Sequence, residues 1–164
     1  ILSDILTDGN NSRLYRALVD KGLATNVFAF PGYFRDPSLA ILFASLAPGA
    51  THDAVEKVIL GEVEILKRDG VTAAEVNDAV AKQITDLAFQ RDGSFAIAGQ
   101  LNEHIATGDW QNFVLLGDKF KAVTPASVQN VANKYFNGDQ STTGWFIPAT
   151  PNSAPAASAA KPAN

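Results

Sequence analysis

Apolar residues recur with a helical period through the middle of the chain. Between Thr51 and Gly70 every third or fourth position is apolar, and the positions between them carry most of the charged side chains. This spacing puts the apolar side chains on one side, so it predicts an amphipathic helix that ends at the glycine. Thr72 and Glu75 follow with the spacing of a capping box, which predicts a second long helix that ends at about Arg91.

The residues before this helix pair show two shorter helical patterns. Residues 1–6 place their apolar side chains on one helical face, although no capping residue precedes them, so we expect the chain to begin within a helix. Ser12 can cap a second short helix that carries Leu14 and Leu18 inward. Gly22 can then adopt the left-handed conformation that ends this helix.

Three further helices are predicted after the long pair. Residues 95–106 and 110–120 have helical spacing. Thr124 is a capping residue followed by proline at the first helical position, so a last helix should begin there and end at about Phe136.

Three segments have the composition of β-strands. Residues 25–30 and 142–147 are rich in aromatic and β-branched side chains, and residues 39–46 are apolar on both faces. Three strands are few for about six helices to cover, so we expect a further strand upstream of Ile1. The predicted fold class is α+β, with an antiparallel sheet packed on one face by helices.

Composition divides the chain into a domain and a short extension. The chain has 164 residues, of which 46% are apolar, and this is enough for a packed core. Residues 149–164 are rich in proline and alanine and lack large apolar side chains. We therefore predict one domain at residues 1–148, followed by a linker or tail.

Charge and hydropathy exclude several classes of function. The 17 acidic and 13 basic residues are interspersed, which leaves no basic stripe that could follow a phosphate backbone. Nucleic acid is therefore not expected as a partner. No apolar run approaches the roughly 20 residues that cross a bilayer, so membrane insertion is not expected either. The chain has no cysteine, which excludes disulfides and thiolate metal sites.

The polar residues of catalytic type do not form a recognisable site. His52 lies in the first turn of a predicted helix, where we expect it to be solvated, and His104 has no evident set of further metal ligands. Arg13, Arg16 and Lys21 share one short helix. They could contact an acidic peptide, but a charged face in solvent is the favoured interpretation.

Several stretches resemble segments of the pitrilysin/insulinase family of zinc metallopeptidases. One resemblance is to the segment that opens a helix in that family, and here it is Ser12-Arg13-Leu14-Tyr15. Another is to the turn that leads into the next strand, and here it is Gly22-Leu23-Ala24. Gly70-Val71-Thr72 resembles the turn between its two long helices. The stretches GDWQNFVLLGDKFKAVTPASVQNVANKYF and STTGWFIP resemble its closing helix pair and last strand. The resemblance covers nearly all of residues 1–148, in order.

The resemblance implies a domain that does not cut peptides itself. In the family, copies of this domain enclose a peptide-binding chamber, and only one copy carries zinc, on a His-x-x-Glu-His motif with a distant glutamate. That motif is absent here, because the two histidines are His52 and His104. The implied partners are a homologous zinc-bearing peptidase domain and a peptide held in the chamber. No cofactor is expected in this chain.

The family also uses an arginine and a tyrosine that reach the peptide from a domain of this type. Aligning the motif puts Val19 within one residue of the arginine position and Thr25 at the tyrosine position, which implies that both donors are replaced. This departure implies the copy that directly follows the catalytic domain in long bacterial members, and hence a periplasmic or secreted location. Phe28 and Phe30, on the strand that follows, are further candidates to line the chamber, although strand aromatics more often lie in a core.

Two other functions stay open at this point. The chain could belong to a subunit that keeps the peptidase fold and serves only in assembly. It could also be an independent α+β domain that binds a ligand in an apolar pocket.

Overall fold

The computed structural model describes residues 1–148 as a set of helices packed on one face of a β-hairpin. The linker or tail predicted at residues 149–164 lies outside the described residues. The helices are α1 (Leu2–Thr7), α2 (His52–Asp69), α3 (Ala73–Phe89), α4 (Ser94–Ala106), α5 (Asn112–Lys121) and α6 (Pro125–Tyr135), with a π-helical segment at Tyr15–Val19 and a 3-10 turn at Gly138–Gln140. The strands are β1 (Ala24–Pro31) and β2 (Ala40–Leu46).

The long helices begin where the sequence predicts them, each after a capping threonine. The Thr51 side chain accepts a hydrogen bond from the Ala54 amide at 3.3 Å, and α2 ends at Gly70, whose φ is +76°. At the start of α3 the Thr72 hydroxyl accepts from the Glu75 amide at 3.2 Å, while the Glu75 carboxylate accepts from the Thr72 amide at 2.7 Å. The predicted capping box is therefore confirmed, because each residue satisfies a backbone or side-chain group of the other.

The short helix after α1 differs from its prediction. The Ser12 hydroxyl donates to the Gly9 carbonyl at 2.8 Å and does not cap the helix. The Asp20 amide donates to the Tyr15 carbonyl at 3.1 Å, a five-residue span that gives a π-helical turn. Leu14 and Leu18 are nonetheless both fully buried, as predicted.

The two strands form an antiparallel pair in which Phe28 lies opposite Phe43 and Phe30 lies opposite Ile41. A bulge interrupts the register between Ala24 and Asn26. Within the described residues these are the only two strands of the sheet. The further strand expected upstream of the chain stays a prediction.

The prediction of a strand at residues 142–147 was wrong. This segment has no regular structure and lies against the first turns of α2. The Trp145 indole donates to the Glu56 carboxylate at 3.1 Å and stacks on the His52 ring with 5.4 Å between centroids. A strand needs a neighbouring strand to pair with, and here the segment contacts a helix instead.

The core lies between the helices and the inner face of the hairpin. The main cluster joins α1, the π-helical segment, α2 and β1, and its largest fully buried side chains are Leu6, Leu14, Leu18 and Leu66. A second cluster joins α1, α3 and α6 through Ile5, Val76, Ala79 and Val128. Because both clusters lie on one side of the hairpin, the predicted α+β class with helices on one face is confirmed. None of the described helices is long and apolar enough to cross a bilayer.

Candidate functional site

The hairpin has a second face that the helices leave uncovered. Successive strand residues point to opposite sides, and Val27 points into the core with 4% exposure. Its neighbours Phe28 and Phe30 point outward and are 44% and 51% exposed. Their cross-strand partners Phe43 and Ile41 are 48% and 49% exposed. We call these four outward residues the open face.

The open face is arranged as two cross-strand pairs. The rings of Phe28 and Phe43 lie 5.1 Å apart between centroids, at an interplanar angle of 30°. Phe30 and Ile41 form the next pair on the same face. The two pairs are two residues apart along each strand, a distance of roughly 6.6 Å.

The open face carries no charge. Neither β1 nor β2 contains an acidic, basic or histidine side chain. The outward positions beyond the two pairs hold only Asn26 and Ser45, which lie opposite each other. The surface is therefore apolar with neutral polar side chains at one end.

The four candidate residues for the chamber wall do not all lie on the same surface. Phe28 and Phe30 share the open face, so the alternative that both lie in the core is wrong for this chain. Thr25 is exposed at the bulge, and its hydroxyl donates to the Ser45 carbonyl at 3.3 Å. Val19 packs against the main core cluster. Of the four candidates, Val19 is therefore the one that packs with the core.

The two histidines contact aromatic side chains. His52 stacks on Trp145 and its Nε2 lies 3.2 Å from the Phe146 carbonyl oxygen, so it is partly buried and not simply solvated as predicted. His104 approaches the Phe113 ring edge-on, with 6.2 Å between centroids. Within residues 1–148 no group of three or more histidine, aspartate or glutamate side chains could hold a metal ion.

Arg13 lies in an ion pair that the sequence did not predict. Its Nε donates to Glu75 at 2.6 Å, and its Nη2 donates to the second Glu75 oxygen at 3.0 Å and to the Gly70 carbonyl at 3.0 Å. The interpretation of Arg13 as part of a solvent-facing charged surface is therefore wrong, since its side chain is only 18% exposed and is bonded to the α2–α3 turn. The contact joins two segments that are 62 positions apart in the chain.

This ion pair changes the ionisation of both partners. The Arg13 guanidinium lowers the pKa of Glu75 to about 2, and hydrogen bonds from Thr72 act in the same direction, although partial burial opposes them. The same hydrogen bonding raises the pKa of Arg13. Both groups are therefore charged at neutral pH and tie the start of the π-helical segment to the start of α3.

The chain matches known proteins over most of its length. Zinc protease PqqE of Helicobacter pylori is 30% identical over 148 residues, which are 90% of this chain and 33% of that protein. The crystal structure of a protease from Helicobacter pylori matches with 28% identity and a TM-score of 0.79, over 85% of this chain and 34% of that one. The chain thus spans about a third of the length of both.

A structure of similar size matches as well. It is the inactive peptidase domain of a proposed zinc protease from Bordetella parapertussis, with 32% identity and a TM-score of 0.81, over 93% of this chain and 82% of that one. The family model described as the peptidase M16 inactive domain matches residues 1–83, half of the chain. These matches confirm the resemblance to the pitrilysin family of zinc proteases. The chain belongs to the M16 peptidase inactive-domain family.

Proposed function

We propose that this chain is the non-catalytic domain of a zinc metalloendopeptidase, and that its open face forms part of the wall of a peptide-enclosing chamber. One observation carries the proposal: Phe28, Phe30, Ile41 and Phe43 are each about half exposed on a face that the helices leave uncovered. An exposed apolar surface of this kind is typical of a binding site.

The proposal assigns the catalytic zinc to another domain because of the side chains that this chain offers as metal ligands. Zinc sites in proteins use three or four histidine, cysteine, aspartate or glutamate side chains held close together. The described residues do not fit this requirement, so no step of peptide hydrolysis is assigned to them. The zinc would belong to a homologous peptidase domain, and the names of the relatives support that pairing. The periplasmic or secreted location stays a prediction.

The proposal is tested by assembling the chain with the zinc-bearing domain of its parent protein. Phe28→Thr removes a ring from the open face and keeps a residue that favours strands. The assay follows the cleavage of each peptide in a mixture. We expect kcat/KM for these peptides to fall by about fivefold or more, with the zinc content unchanged, because the ring contributes to peptide binding.

Phe95→Ala is the matched control. Phe95 is 92% exposed and lies in the first turn of α4, not on either strand, so kcat/KM should not change. Equal kcat/KM for Phe28→Thr and wild type would contradict the proposed wall. Assembly without any peptide cleavage would favour a subunit that serves only in assembly.

A further inference from the structure

Helix α4 lacks the features that hold most of the other helices in place. None of its residues is buried, and its side chains Phe95 and Ile105 are 92% and 55% exposed. No side chain caps its first turn, whereas a threonine caps each of α2, α3 and α6. Gly99 lies in its middle, where only proline would favour a helix less. Since local stability follows buried contacts, α4 should be less stable than the helices that contribute to the core.

Helix α4 is joined to the rest of the domain mainly through α5. The His104 ring meets the Phe113 ring edge-on, with 6.2 Å between centroids. Within residues 1–148 the side-chain hydrogen bonds that reach α4 from outside come only from Thr107, which directly follows it. An isolated helix of 13 residues is marginal in water, so α4 should unfold when it separates from α5.

A glycine lies at each end of α4. Gly93 precedes the helix with a φ of +85°, and Gly108 follows it with a φ of +106°. Hinges are a few residues at the ends of elements that absorb changes in backbone angles, and glycine does so most easily. Beyond Gly108, α5 is tied to the segment after α3, because the Arg91 guanidinium lies 4.5 Å from the centre of the Phe113 ring and donates to the Phe113 carbonyl. The part of the chain that can open therefore ends at Gly108.

We propose that residues 93–108 form a lid that opens by local unfolding of α4 while the rest of the described domain stays folded. Gly93 and Gly108 are its hinges, and the contact of His104 with Phe113 is its latch. Opening uncovers the edge of the Phe113 ring, while Arg91 stays in place over the ring. Both core clusters remain intact, because neither contains a residue of the lid.

Amide hydrogen exchange of the 164-residue chain, followed residue by residue by NMR, tests the lid. The rates are measured under conditions where they follow the opening equilibrium. The amides of residues 97–106 should be at least tenfold less protected than those in the middle of α2 and of α5. These amides donate within α4, so their exchange reports its unfolding directly.

Leu66→Ala separates local opening from unfolding of the whole domain. Leu66 is fully buried in the main core cluster, so its truncation should speed exchange in the middle of α2 by about tenfold or more. It should leave the exchange of α4 unchanged, because the core is equally intact whether the lid is closed or open.

His104→Ala tests the latch, with Asn102→Ala as the matched control. Asn102 is an exposed residue of the same helix, and histidine and asparagine have similar helix propensities. Loss of the edge-on contact should make the amides of α4 exchange about fivefold faster in His104→Ala than in Asn102→Ala.

Each part of the proposal has an outcome that would overturn it. If Leu66→Ala speeds the exchange of α4 as much as that of α2, α4 opens only with the whole domain and there is no lid. If α5 is as poorly protected as α4 and as insensitive to Leu66→Ala, the hinge does not lie at Gly108. Equal exchange of α4 in His104→Ala and Asn102→Ala would show that His104 is not the latch.

Discussion

Replacement of Glu75 by glutamine should lower the stability of the protein at neutral pH. The wild-type protein loses the same stabilisation only in acid, when Glu75 becomes protonated. The Glu75 carboxylate accepts two hydrogen bonds from Arg13, at 2.6 and 3.0 Å, and one from the Thr72 amide at 2.7 Å. Glutamine keeps the shape of the side chain and an acceptor oxygen for Thr72. It loses the negative charge and leaves the partly enclosed guanidinium without its partner.

The size of the effect follows from the pKa of Glu75. The folded protein lowers this pKa from 4.5 to about 2, and each pKa unit corresponds to about 1.36 kcal/mol, which sets an upper limit of about 3.4 kcal/mol. The Glu75 side chain is 30% exposed, so solvent screens part of the interaction. We therefore expect Glu75→Gln to lower the free energy of unfolding by about 1 to 2 kcal/mol at pH 7.

The pH dependence has a definite sign. Because the folded pKa is lowered, the stabilisation is fully present above pH 4.5 and is lost as the pH falls toward about 2. The difference between wild type and Glu75→Gln should therefore be constant from pH 7 to about pH 5 and shrink below pH 4.5. Urea unfolding followed by far-UV circular dichroism at pH 7, 5, 4 and 3 measures this difference.

Glu64→Gln is the matched control, because Glu64 pairs with Lys67 at 2.7 Å and is 69% exposed. An exposed pair of this kind contributes about 0.5 kcal/mol or less. A loss of stability in Glu75→Gln no larger than in Glu64→Gln would refute the reasoning. A difference that stays constant from pH 7 to pH 3 would refute it as well.

The same unfolding measurement tests two further substitutions. Leu66→Ala should lower the free energy of unfolding by about 2 to 5 kcal/mol, because Leu66 is fully buried. Leu60→Ala on the same helix should lower it far less, since Leu60 is 50% exposed. Equal losses would contradict the assigned core. Gly22→Ala should cost about 1 kcal/mol, because φ is +67° and no atom lies within 4 Å of the added methyl group. Gly61 lies inside α2 and also has no atom within 4 Å of an added methyl group, so Gly61→Ala should leave the free energy of unfolding unchanged or raise it. A decrease as large as that of Gly22→Ala would contradict the argument from φ.

Much of the helical structure could be predicted from the sequence alone. The capping threonines, the capping glutamate and the positive-φ glycine act within one turn of their own position, so their effect does not depend on distant residues. Thr51, Gly70, Thr72 and Thr124 accordingly set the ends of α2, α3 and α6 as predicted. The inward position of Leu14 and Leu18 was also evident, since apolar spacing is a local property.

The tertiary structure decided the features that depend on residues far apart in the chain. Arg13 looked like a solvent-facing cation until the fold brought it to Glu75, 62 positions away. Phe28 and Phe30 are aromatic strand residues of a type that is common in cores, and they stay exposed because the core packs against the opposite face of the hairpin, through Val27. Residues 142–147 have strand composition but contact α2, where the Trp145 indole donates to Glu56 and stacks on His52, and no strand of the described residues pairs with them.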